Sequence, residues 1–400
     1  MVDETPNRLA VATVLVNRLF YSINWFSIPP IFFLIARELH TEVSGLGLVS
    51  STFLVGIGLF QVPGAILSSK LGPRKMCIVG MVILSVSALL CAAASDIDLI
   101  AVLRFFSGMG MALFFAPSVA LMTSHSRAGS IGLVVGLNNA VASLGGGIGL
   151  FAWAIIGDSV GWRLSLLLIG VLGLASTVFL FVNVPRDAPS RESRFRLPDL
   201  KGVFLDRWLL LVGGVMLAYN VGNTLVSTFA VVYLHDVLGL SAGFAGGTAS
   251  LVVLAGLFSA PVAGRFYRPD ARVKMVLAAC GVSIAVGVAL VALASPAAVV
   301  VSAVVVGVAS GVGYTFGFGT AWSSSAPKDQ RIALSWVNSI QLLLSFWAPY
   351  LFSFVVEGYG YGLAWLTGAV YTTVFIFPIV LVRGRPRQKT EERRNETAEV

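Results

Sequence analysis

Charge is what this chain has least of. Only 12% of its 400 residues are Asp, Glu, Lys or Arg, about half the share found in soluble domains. So few ionic groups cannot cover a soluble surface of this size. A cytosolic enzyme, a secreted domain and a disordered chain are therefore excluded. Cysteine is scarce as well. Cys77, Cys91 and Cys280 sit inside apolar runs, without the number of a disulfide framework or the spacing of a metal site. No secretory leader is expected, because Asp3 and Glu4 precede the first apolar run and no small-residue cleavage site follows a short core.

What is present is apolar. Hydrophobic residues make up 57% of the chain, and the 42 glycines bring the total to about two thirds. The expected solvent is lipid. The net charge of +8 then reads as asymmetry between loops, and no nucleic-acid partner is expected. A span needs about 20 mostly apolar residues. Twelve such segments can be marked: 9–35, 45–69, 75–95, 98–124, 129–157, 163–184, 208–234, 242–266, 273–294, 297–323, 330–356 and 360–382. The fold class predicted is an all-α multi-pass membrane protein. It divides into an N-terminal six-helix bundle (1–184), a basic linker (185–207), a C-terminal six-helix bundle (208–383) and a basic tail (384–400).

The basic residues set the orientation. With the N-terminus inside, 23 of the 27 Lys and Arg fall on the inner side. The outer loops hold only Arg37 and Arg163, and the spans only Arg18 and Arg104. That is a strong positive-inside bias. Both termini are expected in the cytoplasm and the protein in the cell membrane, as a monomer. Anionic lipids at the cytoplasmic face are the expected partners of the tail.

The halves repeat one another. Gly58-Leu59-Phe60-Gln61-Val62-Pro63 matches Gly256-Leu257-Phe258-Ser259-Ala260-Pro261 at an offset of 198, which also carries Lys70 and Arg74 onto Arg268 and Arg272. Ser107-Gly108-Met109-Gly110 matches Ser310-Gly311-Val312-Gly313, and Asn138 and Asn338 lie 200 apart. Two six-span halves with a site between them is the logic of rocking transporters.

These residues resemble the major facilitator superfamily. In the loop after span 2, Leu67, Lys70, Gly72, Arg74 and Lys75 fit the family pattern Gly-x-Leu-x-Asp-Arg-x-Gly-x-Arg-Arg. Ala65 stands in place of its Gly and Ser69 in place of its Asp. The resemblance implies that this Asp helps latch the cytoplasmic side in the outward-open state, a role Ser69 cannot fill as a carboxylate would. Arg104-x-x-x-Gly108 fits the span 4 signature, and Gly161-Trp162-Arg163 a common start of span 6. The loop residues Lys70, Gly72, Arg74, Arg268 and Arg272 are accordingly expected to serve in gating. Asn17-Arg18 in span 1 with Arg104 in span 4 is similar to the organic-anion branch, the anion:cation symporters. Where that branch carries carboxylates implied in proton coupling, this chain has Asn17 and Met111. The span 5 spacing Gly136, Gly145, Gly149 is similar to an antiporter signature, with Leu150 in place of its Pro.

A charge at mid-bilayer costs about 2.5–3.5 kcal/mol on insertion scales, so Arg18 and Arg104 must face a wet cavity or a partner. Two cations without a buried carboxylate favour an anion, which an Arg fork holds through two parallel hydrogen bonds. Arg104 has a structural reading as well, since its position is basic in many members. Polar and aromatic residues recur at spacings of 3, 4 and 7 on the candidate cavity spans, which places each set on one helix face. They are Arg18, Tyr21, Ser22 and Trp25 in span 1; Tyr219, Asn220, Asn223 and Ser227 in span 7; Ser310, Tyr314, Phe318 and Trp322 in span 10; Asn338, Gln341 and Ser345 in span 11. Span 5 adds Asn138 and Asn139. For any single Asn or Ser the commoner role is an interhelical hydrogen bond of about 0.6 kcal/mol. Spans 3, 6, 9 and 12 are nearly free of such residues and are expected to face lipid. Pro29-Pro30, Pro117 and Pro349 are expected to interrupt spans 1, 4 and 11.

The reading is a secondary carrier for a small organic anion, most readily a carboxylate, working by alternating access without a cofactor or metal. All 19 Asp and Glu fall in loops, tails or span ends, and His40, His125 and His235 at span ends. A facilitator, an exchanger or a substrate-borne proton is therefore expected. The rivals are an efflux carrier for hydrophobic or drug-like compounds and a non-transporting receptor or scaffold. An enzyme is not expected, because no nucleophile–base pair or metal cluster lies within the spans.

Overall fold

A helix closes its backbone hydrogen bonds within itself, which is why lipid-spanning segments of this kind are helical. The computed structural model of the chain describes residues 7–126, 131–186, 202–268, 272–325 and 330–377, and among these no β-strand occurs. Most of the expected linker and the whole basic tail lie outside the described residues.

Spans 2 to 6 are Val43–Leu71, Pro73–Ala92, Ile97–Ser124, Ile131–Val160 and Trp162–Asn183. Span 7, Arg207–Val232, continues through a π-helical turn, Tyr233–Val237. Spans 8, 9 and 10 are Ala242–Phe266, Arg272–Leu290 and Pro296–Ser324. Span 1 is broken. Its first helix, Arg8–Trp25, ends before the Pro29–Ile31 turn, and Phe32–Leu39 resumes it at a bend of 43°. The final 45 apolar residues, Ile332–Ile376, are too long for one crossing: at 1.5 Å per residue they would reach about 68 Å, against a hydrocarbon core of about 30 Å. Gly360, with φ +84, turns the chain inside this stretch and separates span 11 from span 12. Twelve crossings result among the described residues.

The prolines act unequally. Pro29 and Pro30 sit at a break, as expected. Pro117 does not interrupt span 4, which runs unbroken from Ile97 to Ser124. Span 11 breaks just ahead of Pro349, between Gln330–Leu344 and Trp347–Ile376. Pro349 thus lies in the first turn of the second piece, where its missing N–H costs nothing.

The internal repeat is a repeat of contacts. In the first half, a Cβ on Gly108 would fall 2.2 Å from the Phe53 carbonyl oxygen, and one on Gly56 2.1 Å from that of Phe105. In the second half, a Cβ on Gly311 would fall 3.0 Å from Gly256, and one on Gly307 2.5 Å from the Val252 carbonyl oxygen. Spans 4 and 10 thus lie backbone-close against spans 2 and 8.

The halves meet at the end of the bundle away from the N-terminus. Span 5 fits between spans 1 and 8 through its glycine run. Gly145 and Gly149 abut Leu19 and Ile23, while Gly146 and Gly147 abut Val253 and Leu254. Span 2 meets span 11, where the Ser339 hydroxyl donates to the Gly58 carbonyl at 2.6 Å. The backbone N–H of Ser44, at the start of span 2, donates to Glu357 Oε1 of span 11 at 2.6 Å. Phe33 of span 1 stacks on His235 of span 7, ring centroids 4.0 Å apart.

A side chain at position 47 tests this closure, since a Cβ there would fall 2.1 Å from Ser353 Oγ and 2.8 Å from the Pro349 carbonyl oxygen. Gly47→Leu is expected to disfavour the closed end. The three native cysteines are buried, so a Ser50→Cys reporter can be labelled selectively. Outside labelling by an impermeant maleimide should rise in the Gly47→Leu background. Unchanged labelling contradicts the closure described.

Candidate functional site

A cavity of about 1840 Å³ lies between the halves. Asn7, Ser68, Ser69, Ser124, His125 and Arg186 border it, so its mouth is at the end that carries the N-terminus and the loop between spans 2 and 3. The other end is the closed one. Spans 1, 2, 4, 5, 7, 8, 10 and 11 supply the wall, and neither span 9 nor span 12 contributes a described residue. Spans 3, 6, 9 and 12 turn exposed apolar side chains outward, such as Val86, Val171, Val282 and Val370.

Arg18 and Tyr21 lie three residues apart and share one helix face. Arg18 is only 7% exposed. Its guanidinium carbon lies 4.4 Å from the Tyr21 ring centre and 5.1 Å from that of Phe115 on span 4. Such aromatic faces attract a cation by about 0.5–2 kcal/mol each. The Tyr21 side chain also hydrogen-bonds to Arg18, yet the Nε and Nη1 of Arg18 have no partner. A buried donor left unpaired costs about 1–3 kcal/mol, and more when charged.

Arg104 is 5% exposed and differently placed. One Nη donates to Asn24 O at 3.3 Å and to its Oδ1 at 3.4 Å, and the other to Trp25 O at 3.3 Å. These carbonyls end the first helix of span 1, where the helix dipole favours a cation. The Phe53 ring centre lies 4.0 Å from the guanidinium. Arg104 thus caps the broken span from span 4 while bordering the cavity, with Nε unpartnered.

Tyr21, Trp25, Asn138, Asn139, Asn220, Asn223, Tyr314, Asn338 and Gln341 also border the cavity, as expected. Asn220 Oδ1 accepts from Ser345 at 2.7 Å, Asn223 donates to Ser310 at 3.4 Å, and Gln341 donates to Asn338 Oδ1 at 2.7 Å. Asn17 and Tyr219 are not brought to the cavity. Asn17 donates to the Ser176 carbonyl of span 6 at 2.9 Å, and Tyr219 to the Leu277 carbonyl of span 9 at 2.6 Å. A helix turns about 100° per residue, so each points away from its cavity-facing neighbour, Arg18 or Asn220.

The loop residues do other work. Arg74 donates to the Val184 and Phe181 carbonyls at the end of span 6, which fastens the loop to its own half. Gly72 makes the turn at φ +93, and Lys70 is exposed. Arg268 and Arg272 border a separate recess of about 350 Å³.

Gln61 was missed by the sequence reading, although it stands in the repeated segment. It borders the cavity from span 2, is 1% exposed, and its Nε2 has no partner. An amide inside an apolar 29-residue helix was the available signal. Phe53 and Phe115, which frame the arginines, gave none, because nothing distinguishes them from packing aromatics.

A central cavity between two repeated bundles, closed at one end, defines a membrane carrier. The chain belongs to the Major Facilitator Superfamily, whose family model matches residues 14–331. Among curated proteins it is similar to the probable sulfoacetate transporter SauU of Cupriavidus necator, 29% identical over 170 residues, which is 42% of this chain and 39% of that relative's length. It is also similar to the multidrug efflux protein YfmO of Bacillus subtilis, 24% identical over 90% of this chain and 88% of that protein. Among solved structures it resembles the nucleoside transporter NupG, with a TM-score of 0.79 at 13% identity over 93% of this chain and 99% of that one. It resembles as well a bacterial homologue of the human lysosomal transporter Spinster in an inward-facing, occupied conformation. There the TM-score is 0.73 at 16% identity over 94% of this chain and 96% of that one. The protein is a multi-pass membrane transporter, not an enzyme.

The two arginines should separate in the ligand-free protein. Arg104→Gln removes the cap on span 1 and should lower stability by about 1.5–3 kcal/mol, the worth of hydrogen bonds to a charged group. Arg18→Gln removes a buried charge that leaves two donors unpaired and should cost less than Arg104→Gln. Thermal unfolding in detergent checks both; equal destabilisation contradicts the assignment.

Proposed function

We propose that the protein carries a small organic anion, most readily a carboxylate, across the cell membrane by alternating access. The observation that supports this most is Arg18, a buried guanidinium with two unpartnered donors at the wall of the central cavity. Arg104, Arg186 and His125 also border the cavity, and among the described residues no Asp or Glu does. An anion would supply what Arg18 lacks, through two parallel hydrogen bonds. The name of SauU, a probable sulfoacetate transporter, concerns an organic anion and agrees with this reading and with the organic-anion branch. The Lys and Arg distribution supports cytoplasmic termini, and with that orientation the cavity opens inward. With no carboxylate to titrate among the described wall residues, transport is by facilitation, by exchange, or with a proton borne by the substrate. The carrier works as a monomer, with anionic lipids at its cytoplasmic face.

A second reading, efflux of hydrophobic compounds, has support in the match to YfmO. It is favoured also by the aromatic wall of Trp25, Phe53, Phe115, Tyr314, Phe318 and Trp322. A cationic drug, however, meets no carboxylate among the described wall residues.

A thermal-shift panel of carboxylates, sulfonates and neutral or cationic aromatics decides between them. Anions should stabilise the wild type, with affinity about 10- to 100-fold weaker in Arg18→Gln. Aromatics that stabilise both proteins equally, with anions inert, would establish the efflux reading instead.

A further inference from the structure

Arg18 is not alone in lacking partners. Gln61, Arg104, Asn138 and Gln341, which border the same cavity, also carry buried, unpaired side-chain atoms. They divide by chemistry. On Arg18, Arg104 and Gln61 the unpaired atoms are donors: Nε and Nη1, Nε, and Nε2. On Asn138 and Gln341 they are acceptors, Oδ1 and Oε1. Gln341 is held in that sense because its Nε2 donates to Asn338 at 2.7 Å. Asn138 and Gln341 are 2% and 3% exposed. Buried polar groups are nearly always paired, so each exception asks for an explanation.

An anion has only acceptors to offer. It can satisfy the donors on spans 1, 2 and 4, but it leaves the Asn138 and Gln341 oxygens bare. We infer that the substrate is bifunctional: besides its anionic group it carries one or more neutral hydrogen-bond donors, hydroxyl or amide N–H, to pair with the Asn138 and Gln341 oxygens. An ammonium does not fit as well, since among the described residues no carboxylate borders the cavity to balance it. The arrangement also places the two ends of the substrate differently. Arg18 belongs to the first half and Gln341 to the second, so one bound molecule bridges both. A plain fatty or aromatic acid would engage the first half alone. Asn138 and Gln341 are therefore specificity-determining residues. This inference rests on the anion reading above and deepens it.

The test uses matched pairs on the full-length purified protein: lactate with propionate, and malate with succinate. Dissociation constants are measured by calorimetry for the wild type, Gln341→Met and Asn138→Leu, with size-exclusion profiles to confirm folding. One neutral hydrogen bond corresponds to about a threefold to tenfold preference. The wild type should prefer the hydroxylated member of a pair by that factor. At least one folded variant should lose the preference while keeping its affinity for the deoxy partner. Equal binding of hydroxylated and deoxy acids by the wild type overturns this inference and leaves the anion reading standing. So does a preference that survives both substitutions. Should none of the four acids bind, the anion reading fails and this one fails with it.

Discussion

A bilayer offers a polar group no partner, so every donor and acceptor within it must be satisfied by the protein or by what the protein binds. That constraint governs this molecule. It makes the described chain helical, turns valines and phenylalanines outward on spans 3, 6, 9 and 12, and leaves Arg18 and Arg104 as the exceptions to a charge that otherwise keeps to the ends. The first helix of span 1 shows the constraint met: its terminal carbonyls, opened by the break near Pro29-Pro30, are taken up by Arg104 from span 4. Arg18, two turns earlier, shows it unmet. Two aromatic rings flank its guanidinium, and two of its donors wait for a partner. The proposed substrate is that partner.

The same economy shapes the moving parts. Glycine pairs bring spans 4 and 10 backbone-close to spans 2 and 8, so each half holds together without large side chains at these seams. Between the halves, polar and stacking contacts run from mid-bundle to the end away from the N-terminus: Ser339 on Gly58, Phe33 against His235, Glu357 on the first turn of span 2. The opposite end stands open on the cavity. Closing one end while opening the other is what alternating access asks of such a frame.

Much of this was legible in the residues. The twelve spans followed from apolar runs, and the repeat of Ser107-Gly108 in the second half foretold shared packing, whereas Gly58 meets Leu343 of span 11 and its counterpart Gly256 faces span 10. Arg18 and Arg104 stood out because ionic residues inside spans are rare and costly. Periodicity failed at the scale of one residue. Asn17 and Tyr219 carry the right chemistry, yet a 100° helical step turns each toward a neighbouring helix. Proline type alone did not separate Pro117, carried within a continuous helix, from Pro349, which sits just past a break. The separate work of Arg18 and Arg104 depends on which of them meets free carbonyls, and that is a property of assembled helices. Gln61 was open to detection, since an amide in an apolar helix calls for a partner.

The central claim is that negative charge on the ligand completes Arg18. The most direct measurement compares a carboxylate with its primary amide, which keeps size and shape and removes the charge. In calorimetry on the wild-type protein, lactate should bind at least about tenfold more tightly than lactamide, or benzoate than benzamide, the difference expected for a charge-assisted pair. Equal affinity for acid and amide would contradict the account.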